Sequence, residues 1–251
     1  MELILVDYRD DVAVLKLNRG VTNAINLELL EQLAEHLKTI RDDPGLHSLV
    51  LSSANSKFFS IGFDIPHLFD PPKEDFRTFY HTFNQVCVTL YTLPKPTIAA
   101  ITGHAIAGGC ILALCCDYRL IGQGRKLMGL NEIKLGVPVP YPGDCILRHL
   151  TGMRNARHML DTGTFYQPEQ SLQMGIVDQV LPLEEVLPRA IEEARLLGAF
   201  PQKAFAAIKR NRVQPVESEI TEGLAERENL FIELWYSPQA RERLSEAISK
   251  F

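Results

Sequence analysis

The chain has 251 residues, 46% of them apolar and 23% charged, with a net charge of −5. That is enough chain for one large domain with a substantial core, and the balance is that of an ordinary soluble globular protein. No Lys/Arg block suits a nucleic acid, the slight acidity argues against an anionic membrane surface, and no apolar run approaches the ~18 residues of a membrane span.

The opening segment "MELILVDYRDDVAVLKLN" carries acids early and no basic region, so no secretory signal is expected. It reads as two strands, "ELILVDY" and "VAVLKLN", joined by a turn through Arg9, Asp10 and Asp11. "LELLEQLAEHLKTI" has leucines at helical spacing, with Asn26 placed to cap it. "SLVLSS" is a short apolar strand, and the turn-rich "NSKFFSIGFDIPHLFDPPKED" reads as a loop. A helix over "DFRTFYHTFNQVCVTLYTL" stops at "PKP"; the strand "TIAAITG", the helix "GGCILALCC" and the strand "DYRLIG" follow. This alternation, up to about residue 125, predicts an α/β core with parallel strand pairing. From about Pro140 the pattern is mostly helical, interrupted by "GIVDQVL". The segments "PLEEVLPRAIEEARLLG", "PQKAFAAIKRNR" and "ESEITEGLAERENLFIELWY" are each amphipathic. The five cysteines are odd in number and lie mostly in apolar segments, which predicts buried thiols in a reduced cytoplasmic compartment. Neither they nor the histidines have metal-ligand spacing, so no metal is expected.

Three segments carry chemistry. "TIAAITGHAIAGGCILALCC" is strand, glycine turn, buried helix. The first N–H groups of a helix have no intrahelical partner, and glycine brings a ligand close to them, which suits an oxyanion. Alternatively, Gly108 and Gly109 only let the helix pack tightly. "KFFSIGFDI" offers further N–H groups around Gly62 and Phe63, or is a surface turn in which Asp64 caps a short helix at "IPHLF". "LMGLNEIKLGVPVPYPG" places Glu132 in nearly apolar surroundings, where its pKa rises toward the range of a general base. The competing reading is a loop glutamate in water, paired with Lys134. His104 and His81 read as packed residues. Ser60 lacks a nucleophile elbow, and no GxGxxG or Walker spacing is present.

Taken together, "LNRGVTNAIN", "FFSIGFDI", "GHAIAGGCILALCCD" and "GLNEIKLGVPVP", in this order, resemble the crotonase superfamily of enoyl-CoA hydratases and isomerases over almost the whole chain. The resemblance implies an α/β spiral of ββα units over residues 1–195 and a helical trimerisation region over 196–251. It implies an acyl-CoA substrate, with coenzyme A arriving as part of that substrate and no separate cofactor. The assembly it implies is a homotrimer or a dimer of trimers, a reading to which the apolar face of "ENLFIELWY" adds.

Carried over by position, the N–H groups of Phe63 and Gly108 hold the thioester oxygen. Ala24, Ile61, Gly62, Asp64, Ile65, Gly109 and Ile111 fall at substrate- or CoA-contacting positions. Of the two glutamates that hydratases of this family use, one matches Glu132 and the other matches Ile111. One carboxylate can remove and return a proton, so the pattern resembles the Δ3,Δ2-enoyl-CoA isomerase branch. A hydratase, thioester hydrolase or decarboxylase, or a CoA-binding subunit with little turnover, are the alternatives. The prolines of "VPVPYPGD" and the bulk of Phe63 depart from the hydratase pattern and are expected to reshape the acyl pocket, with Tyr141 and Asp144 placed to enter it.

Overall fold

A computed structural model describes residues 2–249. The strands β1 (Ile4–Arg9) and β2 (Val12–Leu17) form an antiparallel hairpin, with Asp10 in the left-handed region at φ 58°. Helix α1 (Leu27–Asp42) follows, and the Asn26 side chain accepts from Leu29 N–H as a cap. Next come β3 (Ser48–Ser53), β4 (Phe58–Ser60), α2 (Ile65–Phe69), α3 (Lys73–Tyr91), β5 (Thr97–Ile101), β6 (His104–Ile106), α4 (Gly108–Leu114), β7 (Tyr118–Gly122) and β8 (Met128–Gly129). A 3-10 turn over Glu132–Leu135 leads to α5 (Tyr141–Thr162), β9 (Phe165–Tyr166), α6 (Pro168–Gln173), β10 (Gln179–Leu181), α7 (Leu183–Gly198), α8 (Gln202–Trp235) and α9 (Pro238–Ile248).

The larger sheet has the order β1-β2-β3-β5-β7-β10 and is parallel from β2 onward. Its central strands are buried on both faces, which is why they read as continuous apolar runs. Val12, Val14, Val50, Ile98 and Ala100 pack against Val186, Ala190 and Ala194 of α7. The alternate residues, such as Ala13, Leu15, Leu49 and Leu51, face the main core with α1 and α3. The smaller sheet, β4-β6-β8-β9, lies beside the glycine turns. The α/β architecture and the helical C-terminal region are therefore as read from the sequence.

The differences are local. The supposed loop after β3 contains β4 and α2, and Asp64 does cap α2 by accepting from His67 N–H. The short strands β6 and β8 pair mainly with one another and with β4 and β9, so no long apolar alternation announces them. Two expected C-terminal helices are one, α8, which runs straight through Pro215. Proline removes one hydrogen bond, but Val213, Val216 and Ile220 are buried on either side of it and hold the two halves on the same core. Helix α9 has a Ser237 cap with Pro238 in its first turn, a legible signal that the sequence reading passed over. His81 is exposed and meets Glu228 at 3.2 Å, instead of being packed. All five cysteines are buried free thiols. Among the described residues no helix is long and apolar enough to cross a membrane.

The apolar face of "ENLFIELWY" does not wait for another subunit. Phe231, Ile232 and Trp235 are buried against their own chain, with Phe231 stacked on Tyr80 at 4.1 Å and Trp235 on Phe76 at 4.5 Å. Leu230 of the same segment stays exposed, so its own chain covers most of that face but not all of it.

A buried ionic cluster ties α8 to the core. Asp117, after α4, accepts from Lys209 Nζ at 2.7 Å, from Thr97 N–H at 2.9 Å and from Arg212. Burial alone would raise the Asp117 carboxyl, but Lys209 and Arg212 outweigh it and hold the group below its ordinary value. Removing one partner of such a pair leaves an uncompensated charge, so Lys209→Ala is expected to cost about 3–5 kcal/mol in urea unfolding. A depressed carboxyl contributes stability present above its unfolded pKa and lost as pH falls through its folded one. The gap between wild type and Lys209→Ala should therefore narrow on acidification.

Candidate active site

Two glycine turns meet back to back. Gly62 has φ +96°, and a Cβ there would lie 2.9 Å from Ala107 Cβ and 3.0 Å from Gly108 N. A Cβ on Gly109 would lie 2.4 Å from Ser60 O. Only glycine allows this approach of β4 and its loop to the start of α4. The segment 22–25 fixes the loop from the other side: Ile25 N–H donates to Gly62 O at 2.7 Å and Asp64 N–H to Ile25 O at 2.9 Å. These two bonds flank Phe63 and leave its N–H with no acceptor among the described residues. Gly108 is the first residue of α4, and its N–H likewise has no acceptor among them. Ala107, before it, takes the strained conformation φ 49°, ψ −124°, held by its N–H donating to Gly129 O at 2.8 Å.

Phe63 and Gly108 line a cavity of about 450 Å³ with Ile61, Ile65 and Glu132. Glu132 is the sole carboxylate lining it among the described residues. It opens the 3-10 turn after Asn131 and is 4% exposed, and its Oε2 has no hydrogen-bond partner. Burial pushes its carboxyl up to about 8. Lys134 is not its partner; the ammonium lies 5.7 Å from the centre of the Phe165 ring. Glu132 is therefore a carboxyl poised to exchange a proton near neutrality beside two free N–H donors.

The other residues singled out in the sequence stand behind the cavity wall. Gly62 and Gly109 create the close approach, and Asp64 pairs with Arg19 at 2.6 Å while Arg19 Nη1 donates to Ala24 O at 2.9 Å. Arg19 thus clamps "TNAIN" to the Phe63 loop. Ile111 is fully buried and packs where Gly143 of α5 leaves room: a Cβ on Gly143 would lie 2.8 Å from Ile111 Cγ1. Tyr141 and Asp144 do not enter this cavity; they line a neighbouring one. The reason is that α5 begins at Tyr141 and carries both side chains toward α8, where Gly223 makes room for the Tyr141 ring.

Sequence reasoning missed two parts of the site. Phe231 and Trp235, from α8, close the cavity across a gap of about a hundred residues that no local pattern bridges. At the mouth, Arg125 lines the cavity beside His104, and Lys57 and Lys126 stand close enough to add to its positive field. Burial first, then these cations, lowers the His104 pKa; its Nδ1 accepts from Leu127 N–H at 2.9 Å. The "GRK" triplet at 124–126 was the available signal for that cluster.

Comparison with known proteins assigns the chain to a family. The family described as enoyl-CoA hydratase/isomerase matches residues 7–251. The mouse mitochondrial enoyl-CoA delta isomerase 1 is 32% identical over 180 residues, 71% of this chain and 62% of that protein, so the match leaves over a third of that relative uncovered. The 2,3-dehydroadipyl-CoA hydratase of Escherichia coli is 31% identical over 100% of this chain and 97% of that one. The crystal structure of human mitochondrial delta3-delta2-enoyl-CoA isomerase superposes with a TM-score of 0.95 at 27% identity, covering 99% of this chain and 97% of that one. Isomerases and hydratases thus stand at similar distances. With the match running from residue 7 to the end, the chain belongs to the enoyl-CoA hydratase/isomerase family.

Proposed function

We propose that the protein is an acyl-CoA isomerase that moves the double bond of a 3-enoyl thioester to the 2-position. The observation that carries this reading is the single carboxylate: among the described residues Glu132 alone lines the cavity, and the family resemblance implies that Ile111 falls where hydratases carry their other acid. Glu132 removes a proton from C2. The electron pair moves onto the thioester oxygen, which is received by the N–H groups of Phe63 and Gly108. The enolate collapses as Glu132 returns the proton to C4, and the double bond then lies between C2 and C3. No water is consumed, so no second acid is needed to position one. Arg125, which lines the cavity, and Lys57 and Lys126, which share its field at His104, suit the phosphates of a CoA carrier in a chain whose net charge is −5.

Product analysis by NMR is the direct test. Turnover of 3-enoyl-CoA to 2-enoyl-CoA should far outpace hydration of 2-enoyl-CoA; equal rates would overturn the reading in favour of a hydratase. Glu132→Gln keeps the shape and removes the base, so the isomerisation rate should fall by roughly 10²–10⁴-fold.

The base must be ionised to accept the C2 proton. Its folded pKa is raised to about 8, so kcat/KM should climb with pH and level off above about 8. A plateau reached already near pH 5 would show that another group titrates.

Gly62→Ala tests the oxyanion pair. The added Cβ meets Ala107 and Gly108 N at 2.9 and 3.0 Å and must part the two donors. Losing one donor costs about 10²–10³ in kcat, while the affinity for a saturated acyl-CoA should change far less.

A further inference from the structure

We propose that Tyr80 limits the length of the acyl chain, as the partition between the acyl cavity and a separate, solvent-open chamber that carries charged side chains. This rests on the acyl-CoA reading above. The chamber, of about 400 Å³, is open to solvent past the exposed Glu219, Arg227 and Leu230, and its lining includes Tyr80, Asp144 and Arg148. Tyr80 is 1% exposed and lines the chamber, whereas its stacking partner Phe231 lines the acyl cavity; the two rings lie 4.1 Å apart and nearly parallel. Phe63, on the acyl side, meets the Tyr80 ring edge-on at 6.3 Å. Phe63 is itself held edge-to-face by Phe79 and Phe83, each at 4.8 Å, so it cannot swing aside for a longer chain. The connecting segment is shared in the same way: Val137 and Pro140 face the acyl cavity, Pro138 and Val139 the chamber.

The two spaces differ in chemistry. The acyl side of the partition is Phe231, Trp235 and Val137. Beyond it, Arg148 binds Asp144 at 2.6 Å and Glu219 at 2.8 Å, and Arg227 lies over the Tyr141 ring at 5.7 Å. A methyl-ended chain gains little by entering a charged chamber, while a chain ending in a hydroxyl finds partners there. With Tyr80 in place neither end reaches it. The substrate class is therefore an acyl chain that ends at the Tyr80–Phe231 pair, and the tip of the chain is read by shape alone.

The test uses unreactive saturated acyl-CoA and ω-hydroxyacyl-CoA thioesters of increasing length, with affinity read by calorimetry. In wild type, affinity should rise with length, then fall, at the same length for both series. Tyr80→Ala should bind the longest ω-hydroxyacyl-CoA at least tenfold more tightly than wild type does, with a smaller gain for the methyl-ended chain. Tyr80→Leu keeps apolar bulk in the core and should move the profile the same way, which covers the case in which the alanine variant does not fold. Tyr80→Phe keeps the ring and should match wild type. If Tyr80→Leu and any folded Tyr80→Ala keep the wild-type profile, the partition is overturned and the acyl-CoA reading stands. If wild type binds no acyl-CoA of any length, both are overturned.

Discussion

The molecule depends on one close contact between two stretches of backbone. The loop after β4 and the start of α4 come so near that a single Cβ at Gly62 or Gly109 would collide with main-chain atoms. That approach brings Phe63 and Gly108, whose N–H groups have no acceptor among the described residues, onto the wall of one cavity. The smaller sheet carries the loops, Ile25 and Arg19 brace one of them from behind, and the strained Ala107 turns the chain sharply into α4. In the proposed reaction these donors are already in place, so no reorganisation would be needed as charge develops on the thioester oxygen.

Two buried carboxylates show how local company decides the state of the same chemical group. Asp117 and Glu132 are both withdrawn from water, and burial opposes ionisation in each. Asp117 is surrounded by Lys209, Arg212 and Thr97, stays charged, and serves as an anchor. Glu132 has an oxygen with no partner among the described residues, and burial raises its carboxyl to about 8, so it is mostly protonated at neutral pH. An anchor must not change its charge, whereas the proposed reaction asks Glu132 to take up and return a proton readily.

The parts of this design visible in the sequence are the local ones. The double glycine before an apolar helix, the glycine loop after a strand and the lone acid in an apolar stretch each lie within a dozen residues, and each is found at the site. The parallel core was legible because its strands are buried on both faces and so are apolar throughout. Short strands such as β6 and β8 were not, because residues engaged through a few backbone bonds need no side-chain alternation. Nor could the sequence tell that Tyr141 and Asp144 turn toward α8, since that depends on how a helix start is rotated against a distant glycine. The apolar face of "ENLFIELWY" was correctly seen to need cover, but an amphipathic pattern does not say whether the cover is the same chain or another.

The contribution of α8 to the cavity wall also has a bearing on how the protein is made. The paired N–H groups lie within the first 108 residues and the acid at 132, yet the ring that closes the chamber around them belongs to Phe231 and Trp235. A chain emerging from the ribosome carries Glu132 for about a hundred residues of synthesis before it has the wall that α8 supplies. The cavity wall is complete only once α8 has been made.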